Sequence, residues 1–281
     1  MSNEAAEQKE KEKEKEKEKE EEADFAFVVT VKCTNAFQQT LLRECVRHIR
    51  VLYATRVIYV LNDNSTVPLS LSEKNIFIYP ALVQGAGEVN AYLFALDPRC
   101  VHDTLVFIHD SVFIKRRLPI SVLTKAAAAA AAATPLFVPF WYSQKFLWRE
   151  IFIPANKAIL TSMYLYLYKN KKTTRLFEIL NGVPRTFAVT FGAMGVFNRA
   201  FVQFMRTHSN LWLTAHLFKS RPNRCLFERI ISVFAMWLHN GHTTVHVDSL
   251  CGNIFQHPKA FENTNMNITS PSLLVKVWQG R

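Results

Sequence analysis

No CxxC pair occurs in this 281-residue chain, and its five cysteines (Cys33, Cys45, Cys100, Cys225, Cys251) are odd in number. Reduced thiols in a cytosolic setting are therefore expected over a disulfide framework or a zinc site. No apolar run reaches the roughly 18–20 residues that span a bilayer, and the charged N-terminus does not read as a signal peptide. These absences predict a soluble cytoplasmic protein with no transmembrane segment. There is no GxxxxGK(S/T) loop and no GxSxG elbow. The stretch Gly85-Ala86-Gly87-Glu88 lacks the third glycine of a dinucleotide fingerprint, and a carboxylate at that helix start would repel phosphate. P-loop, dinucleotide-cofactor and nucleophile-elbow chemistries are excluded on those grounds.

EQKEKEKEKEKEKEEEAD holds no apolar residue larger than alanine; it is almost pure charge and reads as a disordered, solvated tail over residues 1–24. That tail carries 6 Lys/Arg and 11 Asp/Glu, so of the whole-chain charge of +11 the remaining residues, 25–281, hold +16. A body this basic attracts anions: nucleic acid, phosphorylated small molecules or an acidic membrane surface. Charge alone does not choose among them.

Order is predicted to begin at Phe25. AFVVTVKC reads as a buried strand, and Asn35 stands three residues before Gln38, a capping-box spacing that opens a helix. Phe37, Leu41, Cys45 and Ile49 repeat at helical spacing and predict its packed stripe. RVIYVLNDNST is a second strand ending in an Asp63-Asn64-Ser65 turn, NIFIYP a third, QGAGEVNAYLFAL a loop entering a helix with Glu88 near its positive end, and TLVFIH a fourth strand. This alternation predicts an α/β fold with a mainly parallel, doubly wound sheet flanked by helices, in a single domain over 25–281. The alanine run 125–134 reads as a low-complexity insertion or a surface helix. RCLFERIISVFAMWL is the clearest late helix, with Leu226, Ile230, Val233 and Trp237 on one stripe. HTTVHVDSL reads as a strand, and the polar end after Phe255 as loosely organised.

Chemistry concentrates where strands end. In TLVFIHDSVFI four apolar residues run straight into His109, Asp110 and Ser111. Burying that trio without partners would cost several kcal/mol, so it should mark the exit of the strand from the core. One Asp with a neighbouring His or hydroxyl can anchor a divalent cation whose other ligands are phosphates and water, or it can simply cap a turn. Lys32, Thr34 and Asn35, with Asp63 and Asn64, should share that sheet edge if the strands are parallel; each is also an ordinary cap or turn residue. His239, His242, His246 and Asp248 admit a zinc reading, but alternation along a half-exposed strand explains them fully. FGAMGVFNRAF reads as a small-residue loop entering an apolar helix, its glycines allowing close backbone approach or a tight turn.

In chain order these pieces resemble the GT-A-fold glycosyltransferases, and more narrowly glycosyltransferase-like proteins of large DNA viruses and protists. The carriers are FVVTVKCTN, VIYVLNDNST, VFIHDSVFI (where the family has a metal-binding Asp-x-Asp), FGAMGVFNRAF and RCLFERI. The resemblance implies a nucleoside-diphosphate sugar donor bound by Thr30, Lys32, Asn35, Asp63, His109, Asp110 and Gly192. It implies Mn2+ or Mg2+ at Asp110 and Ser111, and Glu228 facing a glycan or protein acceptor. His-Asp-Ser departs from the family pattern by holding a single carboxylate. Two rivals stand beside this reading: a basic nucleic-acid-binding protein, using Lys169–Arg175 and Arg221–Arg224, and a catalytically inactive scaffold of the same fold.

Overall fold

The computed structural model describes residues 23–147, 186–209, 211–238, 249–252 and 273–277. Three apolar stretches form the middle of one sheet. β1 (Ala26–Val31) lies between β2 (Ile58–Asn62) and β4 (Thr104–His109), parallel to both, with Thr30 opposite Leu61 on one side and His109 on the other. All six residues of β1 are buried. A strand covered on both faces has no position for a solvated side chain, which is why these runs read as continuous and not alternating. β3 (Ile76–Pro80) adds in parallel to β2 as the edge strand, so Phe77 and Ile78 are left exposed.

On the far side of β4 the sheet turns mixed. β9 (Gly195–Asn198) pairs antiparallel with β4, and β6 (Phe137–Pro139) antiparallel with β9, giving the order β3-β2-β1-β4-β9-β6. Here the structure corrects the sequence reading, which took FGAMGVFNRAF as a loop running directly into a helix. A four-residue strand is too short to show a period. What permits it is Gly195, where a Cβ would run into the Val138 carbonyl and stand 2.9 Å from Pro139 Cα. Two antiparallel ribbons complete the strands among the described residues: β7 (Tyr142–Leu147) with β8 (Thr186–Thr190), and β5 (Val112–Ile114) with β10 (Leu274–Lys276). The last is a strand in the part of the chain expected to be loosely organised.

Helix α1 (Ala36–Leu52) is capped as its sequence predicts: the Asn35 side chain accepts from the Gln38 amide at 3.0 Å, while Gln38 Oε1 accepts from the Thr34 amide at 2.6 Å. Its packed stripe is Gln38, Leu41, Leu42, Cys45, Val46 and Ile49. Phe37, expected inside, is 44% exposed. It sits in the first turn, at the N-terminal end of the row that Leu41, Cys45 and Ile49 continue, and Gln38 takes the buried place in that turn. α2 (Val89–Phe94) is short and buries Tyr92, whose ring stacks on Phe197 at 4.6 Å. α3 (Ile120–Ala131) contains most of the alanine run; Leu123 and Ala126 face the core, and α3 packs on β9. α4 (Arg199–Ser209) and a 3-10 turn (Leu211–Leu217) lead to α5 (Arg221–Leu238), which buries Leu226 and Ile230. Among the described residues no helix is long and apolar enough to cross a membrane. HTTVHVDSL through Asp248, with His239, His242 and His246, and the Lys169–Arg175 cluster lie outside the described residues.

Candidate active site

From β1 the chain runs outward through β2 to β3 and then crosses back, by way of α2, to β4 on the other side of β1. In an open α/β sheet this reversal leaves a crevice beyond the carboxyl ends of the strands. A cleft of about 480 Å³ opens there. Thr30 and Lys32 reach it from the end of β1, Asp63 from the end of β2, and His109, Asp110 and Ser111 from the end of β4. Gly192 and Glu228, far away in sequence, close the opposite wall. Asn35 and Asn64, expected at this edge, do not line the cleft; the Asn35 side chain is occupied as the cap of α1.

The His-Asp-Ser turn is held by backbone. The Asp110 amide donates to Thr30 O at 3.3 Å, the Val277 amide to Ser111 O at 2.8 Å, and the Cys45 thiol to His109 O at 3.8 Å. Thus β1, β10 and α1 fix the turn, and all three of its residues line the cleft. Asp110 and Ser111 are buried at 7% and 5% exposure.

Asp63 has a different occupation. Its two carboxylate oxygens accept the amides of Gly85 (2.5 Å) and Gly87 (3.0 Å). Both glycines have positive φ, +83° and +52°, a backbone region that side-chain-bearing residues rarely adopt. The amides that a glycine loop offers to phosphate in other folds are here turned onto the protein's own carboxylate. Asp63 therefore borders the cleft with both oxygens engaged.

Glu88 was placed by sequence as a partner for the positive end of α2. It makes no side-chain cap bond and turns into the cleft, with Oε1 3.6 Å from His109 Nε2 and Oε2 3.4 Å from Arg224 Nε. Gly87 permits this, since a Cβ there would stand 2.7 Å from Arg224 Cδ. On the other side of His109, Lys276 Nζ lies 3.4 Å from Nδ1 and 5.2 Å over the Phe191 ring. The turn carrying Phe191 is tight: Gly192 and Ala193 both have positive φ, and the Tyr92 hydroxyl donates to Ala193 O at 2.5 Å.

Burial governs the titration of this cluster. Desolvation first, then the neighbouring Glu88, lift the Glu228 carboxyl to about 8; the Gly192 amide, Lys276 and Arg229 oppose the rise. Glu88 is also raised by burial, against the pull of Arg224. Lys276 is lowered by burial, with Glu88, Glu228 and Asp110 drawing it back up. Two carboxyls that release protons reluctantly beside an ammonium that holds one loosely are suited to proton transfer near neutrality.

Sequence reasoning missed Lys276, Arg224 and the inward turn of Glu88. Lys276 follows an alternation too short to read, and its place depends on β10 pairing with β5 over a separation of some 160 residues. Arg221 and Arg224, proposed as a nucleic-acid patch, both line the cleft.

A divalent cation can be tested against these donors. Asp110 supplies one buried carboxylate and Ser111 one buried hydroxyl. Among the described residues no three His, Cys, Asp or Glu side chains are grouped to hold a metal. The set suits Mg2+ or Mn2+ taking most of its oxygen ligands from a diphosphate and water, and does not suit a cation caged by protein alone.

No family model matches the chain, and no curated protein matches it. Among solved structures it is similar to S. aureus TarS 1–349 in complex with UDP-GlcNAc, at 12% identity and TM-score 0.30, over 43% of this chain and 34% of that one. It is similar to TarS 1–349 alone at 10% identity and TM-score 0.36, over 74% and 56%. It thus spans less than two thirds of TarS 1–349 in both cases. The galactosyltransferase LgtC, in complex with donor and acceptor sugar analogs, is similar at 9% identity and TM-score 0.38, over 89% and 86%. At this distance a likeness assigns neither a donor nor a reaction to the chain.

Proposed function

We propose that the protein is a glycosyltransferase that moves a sugar from a nucleoside-diphosphate sugar to a hydroxyl acceptor. The observation that carries this reading is the convergence in one cleft of a buried carboxylate-bearing strand end (Asp110), a cationic wall (Lys276, Arg221, Arg224) and a carboxyl with a pKa of about 8 (Glu228). The motifs that resemble GT-A enzymes are the ones gathered there, apart from the Asn35 cap.

In this reading the nucleotide lies along the ends of β1 and β2, with Thr30 and Lys32 beneath it. The diphosphate faces Lys276, whose ammonium leaves a crowd of carboxylates for a stronger anionic partner. Asp110 and Ser111 would hold a cation jointly with the diphosphate, and such an ion supplies Lewis-acid neutralisation of the departing phosphate. As the acceptor oxygen bonds to the anomeric carbon, its proton passes to the Glu228 carboxylate. The bond from that carbon to phosphate breaks, and the nucleoside diphosphate leaves with the electron pair. The acceptor is a glycan or a protein hydroxyl.

The test is a thermal-shift and calorimetric screen against nucleoside-diphosphate sugars, with and without Mn2+, because a ligand of the folded state raises the melting temperature. Saturable stabilisation by at least one such donor, shared by its nucleoside diphosphate and not by the sugar alone, is expected. A chain that no nucleoside diphosphate stabilises is not a transferase of this kind.

A further inference from the structure

Outside the cleft, cations gather where α1 meets the segment following β5. Arg43 and Arg47 stand one turn apart on α1, and both are exposed. Lys115 Nζ lies 3.2 Å from His48 Nε2, and Arg47 Nη2 lies 3.5 Å from the same nitrogen. Arg116 and Arg117 follow, both exposed, with Arg117 5.6 Å over the Tyr53 ring. Against these five cations the cluster sets one acid, Glu44, which pairs with Arg47 at 2.8 Å. The local potential is positive enough that His48, already disfavoured as a cation by burial, is pushed further down by Lys115 and Arg47, to about 4.

We propose that this flank docks on an anionic lipid surface. The outer stripe of α1 runs Phe37, Thr40, Arg43, Arg47, Val51, positions that fall on one face at helical spacing and are all exposed. The arginines are thus bracketed by two exposed apolar side chains, Phe37 at 44% and Val51 at 69%. A helix that presents cations between apolar side chains lies along a membrane interface, its charges on headgroups and its apolar groups in the acyl boundary. A nucleic-acid strand fits this field less well, because bases need open aromatic faces among the cations. Phe37 stands open at the end of the stripe, while the rings beneath the cations, Phe113 and Tyr53, are buried at 0% and 4% exposure.

The assay is sedimentation of the full chain with vesicles of phosphatidylcholine containing about one third phosphatidylserine, against vesicles of phosphatidylcholine alone. Binding is expected only to the anionic vesicles, weakening as salt rises. At about a fivefold contribution per basic residue, Arg43→Gln with Arg47→Gln should lower the partition coefficient about 25-fold without changing the melting temperature. Arg116→Gln with Arg117→Gln should do the same, and serves if the first pair folds poorly. Phe37→Ser should weaken binding without altering its salt dependence. Equal partition of wild type and both charge-neutralised variants would overturn the proposal. So would equal binding to neutral vesicles, or tighter binding to a single-stranded oligonucleotide that the same variants abolish.

Discussion

Replacing Glu228 with Gln tests the cleft through stability as well as activity. The carboxyl titrates at about 8 in the folded protein against its ordinary 4.5. A raised acid is stabilising while protonated: between those values the unfolded chain has released its proton and the folded chain still holds it. Stability therefore falls as pH rises from about 4.5 and levels off above 8. At about 1.4 kcal/mol per pH unit the full loss would approach 5 kcal/mol. Glu228 is not fully sealed from solvent, so roughly half of that, about 2–3 kcal/mol, is the working figure. Gln keeps an oxygen for the Gly192 amide and never ionises. The melting temperature of Glu228→Gln should therefore gain on wild type with pH, by roughly 4–10 °C between pH 5 and pH 8.5 for a domain of this size. The same variant should lose about 10²- to 10⁴-fold in transfer rate. Wild-type turnover should rise about tenfold per pH unit below pH 8 as the base form appears. Calorimetry across pH and a donor-hydrolysis or transfer assay give both readouts. A stability gap that stays constant with pH would refute the buried-carboxyl argument, and a fully active Glu228→Gln would refute the base assignment.

Asp110→Asn should fold and bind nucleoside diphosphate, but lose the part of donor binding that depends on Mn2+; Asp103→Asn, whose residue pairs with Arg199 at the far end of β4 at 2.7 Å, is the control that should leave titrations unchanged. Lys276→Met should weaken nucleoside-diphosphate binding about 10- to 100-fold even in the presence of a chelator, read by calorimetry; unaltered affinity would remove Lys276 from the donor site. Gly195→Ala should cost about 1–3 kcal/mol by pushing β6 off β9, seen as a lowered urea midpoint. Deleting residues 1–22 should leave the melting temperature unchanged, whereas Phe25→Ala, which empties a fully buried site packed on Phe27 and Tyr53, should cost about 3–5 kcal/mol.

The parallel half of the sheet was legible because its strands are buried on both faces and its helix caps are local. FVVTV, VIYVL and TLVFI announce themselves by composition, and Asn35 with Gln38 by spacing. The mixed half was not, since β9 and β6 are four and three residues long and owe their pairing to a glycine that lets backbones approach. The same limit applies to the site. Residues at strand ends could be placed together by assuming parallel strands, which brought Lys32, Thr34, Asp63 and Asp110 to one edge. Lys276 could not, because nothing local in SLLVKVW signals that β10 pairs with β5.

Four carboxylates meet at this cleft, and their neighbours give them different capacities. Asp63 accepts one loop amide on each oxygen, so it shapes the site by pinning the glycine loop. Glu88 lies between His109 and Arg224. Asp110 and Glu228 remain, one on each wall. In the proposed reaction their roles diverge for a physical reason: a carboxyl lifted to about 8 is a poor anchor for a cation near neutrality and a good acceptor of a proton, which assigns the base to Glu228. Because Glu88 helps to hold Glu228 protonated, Glu88→Gln should move the pH midpoint of turnover downward, whereas Asp103→Asn, at the far end of β4, should leave that midpoint where it is.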